Sequence, residues 1–252
     1  MFKTYPKPAK DELDRYYESE EYISHTDAKS SITDKLYQWV KKWMLGYKFR
    51  SIQQYQTQGR LLDLGAGTGD FLVEANKKGW SISGVEPNAQ ARNLAKSKGI
   101  NLNTDLSEIS GKFEVITLWH VLEHVYDLDY YLEFLKTHLA ENGILIIAVP
   151  NFKSYDAIKY GSEWAAYDVP RHLYHFSQKS IQKLFANVDF ELIETKPLYF
   201  DSFYVSLLSE KYRGSKIQFL RGMLSGLYSN ISAWGKKQYS SQIYILKHKK
   251  AI

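Results

Sequence analysis

The sequence predicts an α/β domain on a mostly parallel sheet of seven strands, with a helical cap at the N-terminus and an insertion before the last strand. Three observations point there. From about residue 59, short apolar runs alternate with longer amphipathic stretches, the pattern of strands joined by crossover helices. Gly79, Gly99 and Gly143 stand just beyond three of these stretches, where helices commonly end in a left-handed residue. Residues 61–70 read Leu-Leu-Asp-Leu-Gly-Ala-Gly-Thr-Gly-Asp, an apolar run that ends in a carboxylate and turns through three glycines.

Taken in order, residues 1–55 form the helical cap, because Leu36, Trp39, Val40, Trp43 and Met44 recur at spacings of three and four. The core follows over 56–200. Its strands are expected at 60–64, 81–85, 113–118 and 144–149, with a weaker one at 100–103 and an extended stretch at 190–200. Helices are expected at 71–78, 89–98, 128–139 and 178–185, each with apolar residues on one face. After Pro150 the repeat breaks into an aromatic loop over 151–177. Residues 201–240 are an insertion rich in Leu, Phe and Tyr, and residues 241–252 supply the last strand, at 242–247, and a basic tail.

Composition excludes several classes of chemistry. The chain has no cysteine, so disulfides, thiolate zinc sites and sulfur nucleophiles are absent. No apolar run reaches the roughly 20 residues of a membrane span, and residues 1–10, with two prolines and three lysines, do not resemble a secretory signal. A cytoplasmic location is expected. The net charge of +5 is modest and spread out, its densest cluster being Lys247, Lys249 and Lys250, so nucleic acid is not an expected partner. Aromatic residues make up 15% of the chain, enough to line an acceptor pocket or to pack a core, and composition does not choose between them.

The turn at Gly65, Gly67 and Gly69 lets backbone N–H groups approach a ligand without Cβ interference. Its Gly-x-Gly-x-Gly spacing, followed by Asp70, departs from the Gly-x-Gly-x-x-Gly of pyrophosphate loops, and the acidic residue disfavours a dinucleotide. About 20 residues further on, Gly84-Val85-Glu86-Pro87 places Glu86 where a carboxylate accepts hydrogen bonds from ribose hydroxyls. Asp105 follows the weak strand and is placed to accept from an adenine amino group.

These residues resemble the class I S-adenosylmethionine-dependent methyltransferases, small-molecule type. The similar segments are 61–69, 84–87 and 113–124, the last reading Phe-Glu-Val-Ile-Thr-Leu-Trp-His-Val-Leu-Glu-His. The resemblance implies the Rossmann-like methyltransferase fold and S-adenosylmethionine as cofactor, with S-adenosylhomocysteine as product. It further implies that the turn of Gly65, Ala66, Gly67 and Gly69 packs against the amino-acid half of the cofactor with Asp63 and Asp70 close to it, and that Trp119 and His120 sit beside the methyl and adenine groups. Glu86 with Pro87, and Asp105, are cofactor-binding candidates by their own places in the chain. Positions 119 and 120 match neither the signature used on exocyclic amines nor the acidic cluster of metal-dependent catechol enzymes. Metal-independent transfer to oxygen or nitrogen of a small-molecule, glycan or lipid-precursor acceptor is therefore expected.

His120-Val121-Leu122-Glu123-His124 also spells His-x-x-Glu-His, which inverted zinc peptidases carry on a helix. Here it follows directly on a strand, and no metal is expected. A Pro170-Arg171-His172-Leu173 run in the aromatic loop is similar to one found in several small-molecule methyltransferases. It makes His172 the candidate acceptor-side base or orienting group; holding the loop by hydrogen bonds is the alternative. Residues 201–240, with 16–25, are expected either as a lid that excludes water or as a homodimer surface. Two rival functions are an S-adenosylmethionine-binding protein without turnover and a nicotinamide-dependent dehydrogenase.

Overall fold

The computed structural model describes residues 1–16 and 32–249. Lys250 of the tail and all but the first residue of the stretch 16–25 lie outside the described residues. The strands are β1 (Phe2–Lys3), β2 (Arg60–Leu64), β3 (Ser81–Val85), β4 (Phe113–Trp119), β5 (Leu139–Pro150), β6 (Tyr174–His175), β7 (Phe190–Pro197) and β8 (Ser241–His248). Six of them form one sheet in the order β3-β2-β4-β5-β8-β7, and β1 pairs with β6 antiparallel. In the main sheet β2 runs parallel to both β3 and β4, while β7 and β8 are antiparallel.

The chain divides into two compact units, one of Ala9–Leu118 with Phe134–Ile146, the other of Met1–Pro8, Trp119–Glu133 and Ile147–Ile252. In the first, β2 registers Leu61 opposite Ile82 on one side and Val115 on the other. Leu61, Leu62 and Leu64 are all buried, as a parallel strand covered on both faces requires, and Asp63 is buried among them. Around this core lie α1 (Ile32–Gln53), α2 (Asp70–Lys77), α3 (Ala89–Ser97) and, in part, α4 (Leu128–His138). Phe49 of α1 packs at 6.4 Å from Phe71 and 6.3 Å from Trp80, anchoring the cap helix by aromatic contacts.

Two sequence expectations change here. Residues 100–103 do not form a strand; only an isolated parallel bridge joins Val85 to Asn103, so among the described residues the sheet has six strands where seven were expected. The reason is local: the Asp105 side chain accepts from Ser107 N–H and Glu108 reaches back, a capping box that turns the chain into a short 3₁₀ turn before a ladder can grow. Gly143, expected just past a helix, lies inside β5 with ordinary φ, whereas Gly79 and Gly99 do adopt positive φ after α2 and α3. At the end of α4 the Phe134 carbonyl instead lies 3.0 Å from Thr137 Oγ1 and 2.9 Å from His138 Nδ1, so side chains cap that end.

The second unit holds α5 (Tyr155–Tyr160), α6 (Gln178–Ala186), α7 (Asp201–Tyr212) and α8 (Gln218–Lys236). Ile243, Tyr244, Ile245 and Leu246 of β8 are all completely buried, so this strand is covered on both faces despite its alternating look. The expected insertion is the helical pair α7 and α8. The aromatic loop turns inward: Trp164, Leu173, Tyr174 and Phe176 are buried, which makes most of its aromatic density core rather than open pocket.

Candidate functional site

In the first unit the glycine turn sits at the carboxyl end of β2, with φ of 67° at Gly65, 54° at Gly67 and 74° at Gly69. Gly69 needs its missing side chain twice over, since an added Cβ would stand 3.0 Å from Ala95 Cβ at a left-handed φ. The Gly65 and Ala66 N–H groups donate to the Val85 carbonyl at 2.8 and 3.0 Å, docking the turn onto the end of β3. Glu86 fastens it further: Gly67 N–H donates to Oε2 at 2.9 Å and Asn88 N–H to Oε1 at 2.9 Å. A carboxylate held at both oxygens by backbone donors is fixed in direction and keeps lone pairs for further donors. Pro87 beside it is exposed.

The other acids of this unit are engaged within the protein. Asp63 is buried beneath the turn and accepts from Thr117 Oγ1 at 2.6 Å. Burial pushes its carboxyl up to about 7, against the opposing pull of Thr117 and Lys48. Asp70, at the head of α2, meets Lys41 at 2.7 Å and Lys98 at 2.8 Å and accepts from Thr68 Oγ1 at 3.0 Å. Partial burial raises its pKa, but the two ammonium groups outweigh it and hold the carboxyl below its ordinary value. Asp105 is exposed, with its carboxyl lowered by the Ser107 hydrogen bonds that cap the 3₁₀ turn.

In the second unit, Trp119 ends β4 half-buried and His120 follows in a left-handed conformation, φ 57°, strained for a non-glycine residue. The His120 N–H donates to Ala148 O at 2.9 Å, which holds the chain in that turn. Its ring lies between two carboxylates, Nδ1 at 3.3 Å from Glu123 and Nε2 at 3.0 Å from Asp201. Burial lowers the imidazole pKa, yet Asp201 first and Glu123 second raise it on balance to about 10, so the ring is protonated at neutral pH. With 35% of the side chain exposed, solvent screens part of this effect.

Residues 120–124 form a turn, not a helix, so His120 and His124 do not share a helical face as the zinc-peptidase motif would need. A different grouping is present among the described residues: Glu123, His124 and His172 each bring a possible ligand atom within 4.8 Å of the others. The two rings meet edge to face at 4.4 Å. His124 Nδ1 lies 3.2 Å from Arg171 O and His172 Nδ1 2.9 Å from Ala166 O; a carbonyl only accepts, so each ring carries its proton on Nδ1. Burial, then the neighbouring His124, lowers His172 to about 4, and burial lowers His124 as well. The Glu123 carbonyl takes N–H groups from Leu173 and Tyr174 at 2.8 and 3.1 Å, which sews the 120–124 turn to the loop.

Sequence reasoning missed Asp201, which heads an insertion helix without any local signal, and Asp156. The latter is fully buried and accepts from Trp164 Nε1 at 2.7 Å and from Ser229 Oγ and Ser240 Oγ at 2.6 Å each.

A mostly parallel sheet with a glycine turn after one central strand and a pinned carboxylate after its neighbour defines a Rossmann-like α/β domain of the nucleotide-cofactor type. Within that class the chain belongs to the methyltransferase-domain family, whose profile, described as Methyltransferase domain, matches residues 40–195. It is 30% identical over 129 residues to the ubiquinone biosynthesis O-methyltransferase of Pelagibacter ubique, covering 47% of this chain and 54% of that protein. To the protein of the same name from Brucella ovis it is 23% identical over 151 residues, covering 54% and 61%. The chain thus spans little more than half the length of these relatives.

Among solved structures it is similar to phosphoethanolamine N-methyltransferase 2 of Haemonchus contortus in complex with phosphomonomethylethanolamine and S-adenosylhomocysteine. The TM-score is 0.63 at 16% identity, covering 94% of this chain and 59% of that one. It is also similar to magnesium protoporphyrin IX methyltransferase of Synechocystis PCC 6803 with bound S-adenosylhomocysteine, TM-score 0.60 at 14% identity, covering 96% and 100%. At these identities the likeness is one of fold.

Proposed function

We propose that this chain transfers the methyl group of S-adenosylmethionine to an oxygen or nitrogen of a small-molecule, glycan or lipid-precursor acceptor, without a metal at the reacting atoms. The observation that carries the cofactor half is Glu86, pinned across the glycine turn by Gly67 and Asn88 with lone pairs left for two ribose hydroxyls. Family membership supports it, as do similar folds crystallised with the cofactor or its product. When bound, the cofactor supplies an electrophilic methyl on a sulfonium whose departure leaves a neutral thioether, so no acid is needed on that side. The turn at Gly65, Ala66, Gly67 and Gly69 would pass under the amino-acid portion, Pro87 would border the ribose, and Asp105 keeps an exposed oxygen for the adenine amino group.

Asp63 and Asp70 are better assigned to building the turn than to touching the cofactor, since their carboxylates are engaged by Thr117 and by Lys41, Lys98 and Thr68. Trp119, the last residue of β4, and His120 directly after it remain assigned to the cofactor on the resemblance alone. His172 is buried, donates Nδ1–H to Ala166 and resists protonation, which favours the loop-holding role over that of proton acceptor. The acceptor proton then leaves to solvent or to a group of the acceptor itself. Calorimetric titration with S-adenosylhomocysteine and with nicotinamide dinucleotide tests the reading, followed by a screen of hydroxyl and amine acceptors for S-adenosylhomocysteine release. Saturable binding of the first ligand alone is expected; binding of the dinucleotide alone would overturn it.

A further inference from the structure

We propose that the outer face of α8 is a membrane-surface contact that lies on anionic lipid. The helix is built inside out. Its packing side is a stripe of small residues, Gly222, Ser225, Gly226, Ser229 and Ala233, all buried. The fit there is close: an added Cβ would stand 2.8 Å from Leu207 Cα at Gly222 and 2.7 Å from Phe203 Cα at Gly226, both in α7. On this inner side Ser229 donates to Asp156 and Ser202 donates to the Gly226 carbonyl at 3.1 Å. The orientation of the helix is therefore fixed by its small side.

The large apolar residues face solvent at spacings of three and four: Leu220 at 57% exposure, Leu224 at 57%, Leu227 at 49%, Ile231 at 57% and Trp234 at 80%, with Phe219 at 69%. Isolated exposed apolar residues are ordinary, but a continuous stripe along about four turns is a contact surface. Its charge identifies the occupant. Residues 216–237 contain Lys216, Arg221, Lys236 and Lys237 and no Asp or Glu, so the helix and its two ends carry four positive charges and no negative one. A second copy laid two-fold on this face would bring like charges together, whereas an anionic bilayer surface complements both the apolar stripe and the positive charge of the helix. Trp234 sits at the end of the stripe, where an amphipathic ring suits the headgroup level. No helix among the described residues is long and apolar enough to cross a membrane, so α8 would lie in the interface plane.

The test is flotation of the full chain with vesicles of phosphatidylcholine alone and of phosphatidylcholine mixed with phosphatidylglycerol. Binding to the mixed vesicles is expected at about tenfold or more over the neutral ones, weakening with salt. Leu224→Glu combined with Leu227→Glu should abolish it while leaving the thermal unfolding curve in place, and Arg221→Gln combined with Lys236→Gln should lower binding to mixed vesicles only. As a readout that does not depend on the doubly charged variant folding, brominated lipid should quench tryptophan fluorescence in the native chain and much less in Trp234→Phe. The proposal is overturned if the native chain stays off both vesicles, or if Trp234→Phe is quenched as strongly as the native chain. A dimer in sedimentation velocity that Leu224→Glu with Leu227→Glu dissociates, without vesicle binding by the native chain, would assign the face to a second copy instead.

Discussion

His120 Nε2 and Asp201 Oδ2 stand 3.0 Å apart, joining the residue that follows β4 to the residue that opens α7. Together with Glu123 on the other ring nitrogen, this holds the imidazole as a cation between two carboxylates. Asp201→Asn removes the larger of the two charge effects, so the His120 pKa should fall from about 10 toward its ordinary value, as read by NMR titration of the ring protons. The sign for stability follows from linkage. A folded-state pKa raised above 6.5 contributes stability that is fully present below 6.5 and is lost as pH rises through about 10. In the variant that alkaline loss should move to lower pH, and an unchanged titration would show that Asp201 does not govern the ring.

Glu86→Ala should weaken S-adenosylhomocysteine binding by about 100-fold or more, since two hydrogen bonds to a charged group, worth roughly 1.5 to 3 kcal/mol each, are lost. Glu86→Gln should fall between, because one amide oxygen cannot satisfy both Gly67 N–H and Asn88 N–H. Calorimetry on the two variants provides the check; equal affinity in Glu86→Ala and the native chain would remove Glu86 from the cofactor site.

His172 supplies an acid-side prediction with the opposite sign. Its folded pKa is depressed from 6.5 to about 4, so as pH falls through this window the unfolded chain takes up a proton that the folded one refuses. Stability should drop by roughly 3 kcal/mol across it. His172→Phe should lose that sensitivity but cost about 1 to 3 kcal/mol at neutral pH, because the Ala166 carbonyl loses its donor. Denaturant melts at several pH values measure both. If His172 instead removed the acceptor proton, the variant would also lose the acid limb of the rate profile.

How much of this was legible in the sequence depends on the range of the interactions. The glycine turn, Glu86 and the alternation of strands and helices were readable because backbone conformation and strand burial are set by residues a few positions apart, as at 61–69. The failures were contacts distant along the chain. Nothing near Asp201 announces His120, 81 positions earlier, by the difference of the two numbers. The small side of α8 is defined only by α7 packed against it, which no residue close in sequence announces. β1 has two residues and exists only because Phe2 and Lys3 pair with His175 and Tyr174. The missing third strand was the reverse case, a β-like run overruled by the local capping box at Asp105.

Asp156 makes the strongest stability prediction. It is fully buried, and its carboxylate gathers the Trp164 indole, the Ser229 hydroxyl on α8 and the Ser240 hydroxyl before β8. Three elements of one unit therefore share a single acceptor group. Asp156→Ala leaves three donors in the interior at a cost of about 1 to 3 kcal/mol each, not fully additive, so a loss of roughly 3 kcal/mol or more is expected. Asp156→Asn should recover much of this, because its oxygen in the Oδ2 position still accepts from Trp164 and Ser240 while its amide nitrogen donates to the Ser229 hydroxyl, which can turn to accept. The thermal midpoint of both variants decides the matter. As severe a loss in Asp156→Asn as in Asp156→Ala would mean that the Ser229 hydroxyl cannot turn to accept and that both carboxylate oxygens are needed.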